Sequence, residues 1–206
     1  MKLNKDLIIV IVLYNSSDLI FKCLEKLVNF EIIIVDNGKN KHLINQLKNY
    51  QNIIKIVSKN KNLGFGNAIN YAYTFINKDY FLVLNPDVII DENSIIELLK
   101  TSKKHENCAI SAPYVKTDKD SYGILPEKGK GIKRSYDQNT IANRLDNLEP
   151  SGSFCVDVTK GCSMLINSLH FKNVGMFSKE YFLFWEEIDL CRKFLKNRLS
   201  VIVNPK

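Results

Sequence analysis

Three groups of acidic residues stand where carboxylates can do chemistry. Asp87 closes Asn85-Pro86-Asp87, directly after the apolar run Tyr80-Phe81-Leu82-Val83-Leu84. Asp36 opens Asp36-Asn37-Gly38 after Ile33-Ile34-Val35, and Glu186-Glu187-Ile188-Asp189 follows the aromatic stretch Phe182-Leu183-Phe184-Trp185. A buried strand that stops at a proline and then shows a carboxylate places it at the carboxyl edge of a sheet, where open α/β sheets bind ligands. Oxygen donors of this kind suit Mg2+ or Mn2+, commonly held by one or two carboxylates together with phosphate oxygens of a substrate. Asp87 is therefore the expected metal ligand. Asp91 reads instead as part of the N-terminus of the following helix, beside a capping Ser94.

Other polar groups fall at the same edge. Tyr14-Asn15 ends the first apolar run, and the Tyr14 ring is suited to stack on a base. Asp36 is suited to accept from a base N–H or a ribose hydroxyl, but taken alone an Asx turn with Gly38 is the simpler account of it. Asn62-Leu63-Gly64-Phe65-Gly66-Asn67 is a glycine-punctuated lead-in to a helix, where backbone N–H groups can approach a diphosphate. It lacks the third glycine of a dinucleotide fingerprint and is not a P-loop, so a tight turn with close packing fits it as well. Acidic residues in a first helical turn answer the macrodipole, yet three carboxylates within four positions exceed that need. A carboxylate beside apolar rings has a raised pKa, which suits a general base. Trp185, the only tryptophan, is either a sugar platform or core.

The elements that must hold these groups alternate. Leu7–Leu13 is an uninterrupted apolar run, as expected for a parallel strand covered on both faces. Ser16-Ser17-Asp18 supplies N-cap chemistry for a helix carrying Leu19, Ile20, Cys23, Leu24 and Leu27. Strands are expected at 31–35, 53–57, 80–84 and 107–112, with helices at 41–50, 64–76 and from Ser94 onward. This βαβα order implies a doubly wound, mostly parallel α/β sheet. The stretch 114–150 is polar and without periodicity. Strands at 154–158, 163–166 and 199–203 and a helix at 187–195 then complete the fold.

Bulk properties set bounds. The chain has 206 residues, 45% hydrophobic, with Lys and Arg outnumbering Asp and Glu 29 to 22 for a net charge of +7. That surplus favours anionic partners such as nucleotide phosphates or an acidic membrane surface. Nucleic acid is disfavoured, because the basic residues show no interleaved aromatics suited to stacking. Lys128, Lys130, Lys133 and Arg134 in the polar middle fit an acceptor's pyrophosphate, peripheral association with a membrane, or simply a solvated loop. The five cysteines are scattered, with no CxxC spacing, which fits a reduced, cytoplasmic compartment. The first apolar run is too short to span a bilayer.

Taken as a set, Tyr14-Asn15, Val35-Asp36-Asn37, Asn62 to Asn70, Leu84-Asn85-Pro86-Asp87, Gly161 to Ile166 and Phe182 to Arg192 occur in the order seen in glycosyltransferase family 2. The sequence resembles its rhamnosyltransferase-like branch. The resemblance implies a GT-A fold, with 1–106 as a nucleotide-sugar-binding half and 107–206 as a smaller acceptor-side half. It implies inverting transfer from a nucleoside-diphosphate sugar, such as dTDP-rhamnose or a UDP-sugar, to a polysaccharide or lipid-linked acceptor at the inner face of the membrane. Donor contacts then fall to Tyr14, Asn15, Asp36, Asn37, Asn62, Gly64, Gly66, Asn67 and Asn85, acceptor contacts to Trp185 and Asp189, and metal binding to Asp87. Glu187, with Glu186 beside it, falls where the family places its catalytic base. Two departures stand out. The base position holds Glu where the family usually has Asp, and the sequence ends at Asn204-Pro205-Lys206, where members usually continue. A catalytically impaired, nucleotide- or partner-binding protein is the alternative reading.

Overall fold

A computed structural model describes residues 5–16, 19–116, 121–122 and 152–205. The first half runs β1 (Leu7–Leu13), α1 (Leu19–Glu25), β2 (Ile32–Asp36), α2 (Lys41–Leu47), β3 (Ile53–Val57), α3 (Phe65–Tyr73), β4 (Tyr80–Leu84), α4 (Glu92–Lys104) and β5 (Cys108–Pro113). A short antiparallel pair follows, β6 (Val115–Lys116) with β7 (Ser121–Tyr122). Then come β8 (Phe154–Val156), β9 (Ser163–Asn167), α5 (Ser168–Asn173), α6 (Glu186–Lys196) and β10 (Ser200–Asn204). The four polar-middle cations, together with Ser17 and Asp18, lie outside the described residues.

Eight strands form one sheet in the order β3-β2-β1-β4-β9-β5-β10-β8. β3, β2, β1 and β4 pair in parallel, as do β5 and β10. β9 runs antiparallel between β4 and β5, and β8 antiparallel on β10. The expected mostly parallel α/β sheet is what forms. Its central strand has the composition that double cover demands. Ile8 and Val10 join the core beneath α3, α5 and α6, whereas Leu7, Ile9, Ile11 and Leu13 join the one beneath α1, α2 and α4. Truncating a residue such as Ile9, fully buried there, costs about 2–5 kcal/mol.

One cap differs from expectation. Asp91, not Ser94, caps α4, its carboxylate accepting from the Ser94 N–H at 2.8 Å. A carboxylate at that position meets both the orphan N–H and the helix dipole. No helix among the described residues is long and apolar enough to cross a membrane.

Candidate active site

From β1 the chain winds outward through β2 to β3, then crosses back over α3 to β4 on the other flank of β1. The order of strands reverses between β1 and β4, and in open α/β sheets that switch point opens a ligand crevice. A cleft of about 630 Å³ lies there. Tyr14, Asn15 and Ser16 line it from β1, Asn37 from β2, Asn62, Gly64 and Phe65 from the start of α3, and Asn85 to Asp87 from β4. Phe182 and Leu183 close it from the far half of the chain. The structure thus gathers Tyr14, Asn15, Asn37, Asn62, Gly64, Asn85 and Asp87. Asp36, Gly66 and Asn67 are not among the lining residues.

Asp36 makes the Asx turn. Its Oδ1 accepts from the N–H of Gly38 at 3.3 Å and of Lys39 at 2.8 Å. The turn presses Gly38 against the Tyr14-Asn15 backbone so closely that a Cβ there would lie 2.8 Å from the Asn15 nitrogen. Asp36 thereby shapes one wall of the cleft. Asn37, almost fully buried, ties two walls together. Its Nδ2 donates to Asn62 Oδ1 at 2.7 Å and to the Gly64 carbonyl at 3.2 Å, while its Oδ1 accepts from the Leu63 N–H at 2.8 Å.

The small residues at the head of α3 make room for protein. The Phe65 N–H donates to the Phe182 carbonyl at 3.1 Å, and Gly66 packs against the Phe177 ring. Asn67 Nδ2 donates to the Lys179 carbonyl at 3.3 Å. Asn70 meets the Phe177 backbone both ways, its Nδ2 donating to the carbonyl at 2.9 Å and its Oδ1 accepting from the N–H at 3.1 Å. The close-packing reading of this glycine-rich stretch is therefore realised at Gly66 and Asn67, both of which meet the irregular segment 177–182.

That segment delivers α6. Phe184 and Trp185 both have left-handed backbones, with φ of 69° and 73°, a conformation rare for bulky residues and concentrated at functional sites. Trp185 is 57% exposed, which removes the core reading for its ring. Glu186 is buried, with Oε2 lacking a hydrogen-bond partner among the described residues, and burial pushes its carboxyl pKa up. Burial also pushes Glu187 up, and the neighbouring Glu186 charge adds to the rise. Asp189 accepts from the Ser178 hydroxyl and pairs with Lys193 Nζ at 3.2 Å.

Gly161-Cys162, just before β9, joins the two carboxylates from opposite ends of the chain. The Asn85 N–H donates to the Cys162 carbonyl at 2.9 Å, which sets this pair beside Asn85-Pro86-Asp87. Gly161 lies against Glu187, whose Cβ would be 3.5 Å from a Cβ on the glycine. The Cys162 thiol is pushed up chiefly by burial; Lys160 pulls it down, and Asp87 and Glu187 each push it up. Both carboxylates are therefore within electrostatic reach of one sulfur. Gly161 and Cys162 stand in the motif set that carries the family resemblance, but the sequence assigns neither a role in the site.

Asp87 is exposed and stands between the cleft and a second hollow of about 860 Å³, lined in part by Ile89, Tyr114, Lys160 and Cys162. It is the only carboxylate among the described residues lining the first cleft. No cluster of three or more His, Cys, Asp or Glu side chains able to hold a metal occurs among the described residues. This donor set fits a hard cation completed by ligand oxygens, which is how Mg2+ is usually bound, and does not fit an all-protein cage.

Comparison with known proteins agrees with this geometry. The family model for glycosyl transferase family 2 matches residues 8–163. A low-salt glycan biosynthesis hexosyltransferase of Haloferax volcanii is 26% identical over 201 residues, covering 95% of this chain and 64% of its own length. A rhamnosyltransferase of Escherichia coli is 26% identical over 212 residues, covering 89% and 74%. The chain thus spans 64% and 74% of the length of these two relatives. Among solved structures, GalNAc-T7 with UDP, GalNAc and Mn2+ superimposes with a TM-score of 0.73 at 15% identity, over 97% of this chain and 42% of that one. A mannosyltransferase of Pyrobaculum calidifontis in complex with GDP-Man and Mn2+ gives 0.70 at 11% identity, over 98% and 55%. Both show the same fold.

Proposed function

The chain belongs to glycosyl transferase family 2, and on that premise we propose that it moves a sugar from a nucleoside-diphosphate sugar to a glycan or lipid-linked acceptor, inverting the anomeric centre. The observation that carries this reading is the convergence of Asp87, from the end of β4, and Glu187, from the first turn of α6, on Gly161-Cys162 beside the cleft.

The nucleotide occupies the 630 Å³ cleft. The exposed Tyr14 ring stacks on the base, Asn15 and Asn62 offer amides to the ribose and phosphates, and Asn37 and Asp36 hold the loops that present them. Asp87 would hold Mg2+ or Mn2+, which when bound offsets the negative charge that grows on the departing diphosphate. The likeness to enzymes solved with nucleotides and Mn2+ supports this. Glu187 accepts the proton of the acceptor hydroxyl as that oxygen attacks the anomeric carbon and the bond to the diphosphate breaks. Its raised pKa makes it a stronger base than an ordinary carboxylate. Exposed Phe182, Leu183, Phe184 and Trp185 form the apolar platform that takes the acceptor and excludes water. The likeness to a rhamnosyltransferase makes a deoxyhexose a reasonable first donor to try. Five free cysteines fit a reducing, cytoplasmic setting.

Calorimetric titration with UDP-, GDP- and dTDP-sugars, with and without Mn2+, tests the donor half of this reading. One donor binding in a metal-dependent way supports it. The absence of binding by every donor contradicts it. Binding without release of nucleoside diphosphate, with any acceptor supplied, favours a nucleotide-binding role without turnover.

A further inference from the structure

Resting on that reading, we infer that Asp189 and Asn70 are positioning residues that fix the direction in which Glu187 meets the acceptor hydroxyl. The inference assigns Asp189 a role other than acceptor contact.

The segment 176–178 is gripped from both sides. From α3, Asn70 holds the Phe177 backbone through its donating Nδ2 and accepting Oδ1. From α6, Lys193 Nζ donates to the Met176 carbonyl at 3.0 Å and pairs with Asp189 at 3.2 Å, while the Ser178 hydroxyl donates to Asp189 Oδ2. Asp189 is thus the point where a hydroxyl from the segment and an ammonium from the next helical turn meet. Its own N–H donates to the Trp185 carbonyl at 2.9 Å, closing the first turn of α6.

Helix geometry turns this grip into a setting for the base. Side chains two positions apart on an α-helix point about 200° apart. Asp189 therefore anchors the segment on one side of α6 while Glu187 lies against Gly161 on the other. Leu190, Cys191 and Phe194 bury the apolar face of the helix and hold it on the sheet. A greasy face tolerates sliding and slight rotation, whereas an ion pair with two further hydrogen bonds on it does not. Releasing the grip lets the first turn rotate, and a misplacement of about an ångström costs on the order of 10²-fold in rate.

The test uses the whole chain carrying Asp189→Ala, Asp189→Asn, Lys193→Met or Asn70→Ala, with Glu187→Gln as control. Three things are measured: kcat, KM for donor and acceptor, and acrylamide quenching of Trp185, the sole tryptophan, which caps α6. Asp189→Ala and Asn70→Ala are expected to lower kcat by about ten- to a hundredfold. Both KM values should stay within about twofold, and the quenching of Trp185 should change. Asp189→Asn, which keeps an oxygen for Ser178, should recover part of the rate. Wild-type kcat in a folded Asp189→Ala variant would overturn the inference, as would a raised acceptor KM at unchanged kcat, which would return Asp189 to acceptor binding. If Asp189→Ala does not fold, Lys193→Met and Asn70→Ala decide the matter by the same readouts. Should the wild type transfer no sugar at all, the transferase reading fails separately. Trp185 quenching still decides this one, because unchanged quenching in all variants contradicts the grip.

Discussion

Gly64 lies directly beneath the carbonyl of Phe182. A Cβ at residue 64 would come within 2.0 Å of that oxygen, and the backbone there, at φ 77° and ψ 178°, is in a region that essentially only glycine occupies. The loop at the head of α3 and the strap that leads to α6 are in contact at this point. Gly64→Ala must both strain the backbone and push the strap away, so it should destabilise the protein by at least about 2 kcal/mol. Urea denaturation checks the stability, and weakened nucleotide binding should accompany the loss.

Asn37 makes three hydrogen bonds from an almost fully buried side chain. Asn37→Ala leaves the Leu63 N–H, the Asn62 amide oxygen and the Gly64 carbonyl without that partner, at a cost of about 2–3 kcal/mol. Asn37→Asp should be no better, since a carboxylate cannot donate to Asn62 or Gly64. Equilibrium unfolding of the two variants gives the comparison directly.

Glu186 provides a pH test. Burial raises its pKa in the folded protein, so the folded state binds that proton more tightly than the unfolded chain. The stabilisation is complete below the ordinary value of 4.5 and is lost as the pH rises through the raised one. Glu186→Gln removes this titration and supplies an amide in place of an unpartnered charged oxygen. Its melting temperature should match the wild type at low pH and exceed it near neutrality, by the equivalent of about 1–3 kcal/mol. The same substitution removes a charge that raises Glu187, so the acid limb of the kcat profile should move to lower pH.

The thiols should react unequally. Burial pushes Cys23 and Cys191 up to about 12 and Cys108 up to about 11. Cys162 is raised as well, whereas Cys155 is exposed. Thiolate is the nucleophile, so brief maleimide treatment of the native protein at pH 7 should label Cys155 first. Peptide mapping that finds Cys23 or Cys191 labelled early would contradict the packing around them.

Much of the fold was legible because double cover leaves a plain mark. Leu7–Leu13 and Tyr80–Leu84 are continuous apolar runs, and both are strands at the heart of the sheet. The mostly parallel sheet followed from the βαβα order, but the switch point between β1 and β4 came only with the strand order. What stayed hidden was pairing across sequence distance. Nothing in Ser163–Asn167 announces that it inserts antiparallel between β4 and β5, yet that insertion brings Gly161-Cys162 to Asp87. Similarly, Asp87 and Glu187 were legible as carboxylates at element ends. The clamp on segment 177–182 was not, because Asn70 and Gly64 act on backbone carbonyls that carry no residue signature. Asp36 showed the opposite difficulty, since an Asx turn and a ligand contact look alike until the turn's hydrogen bonds are seen.

The central claim, that Asp87 and Glu187 divide metal-assisted donor binding and proton removal between them, is tested most directly by comparing Asp87→Ala with Glu187→Gln. Donor binding in Mn2+ and sugar transfer to a glycan acceptor would be measured side by side. Asp87→Ala should lose the metal-dependent part of donor binding, whereas Glu187→Gln should bind donor like the wild type and lose transfer by about 10²-fold or more. Undiminished transfer in Glu187→Gln, or metal-dependent binding retained in Asp87→Ala, would contradict the account.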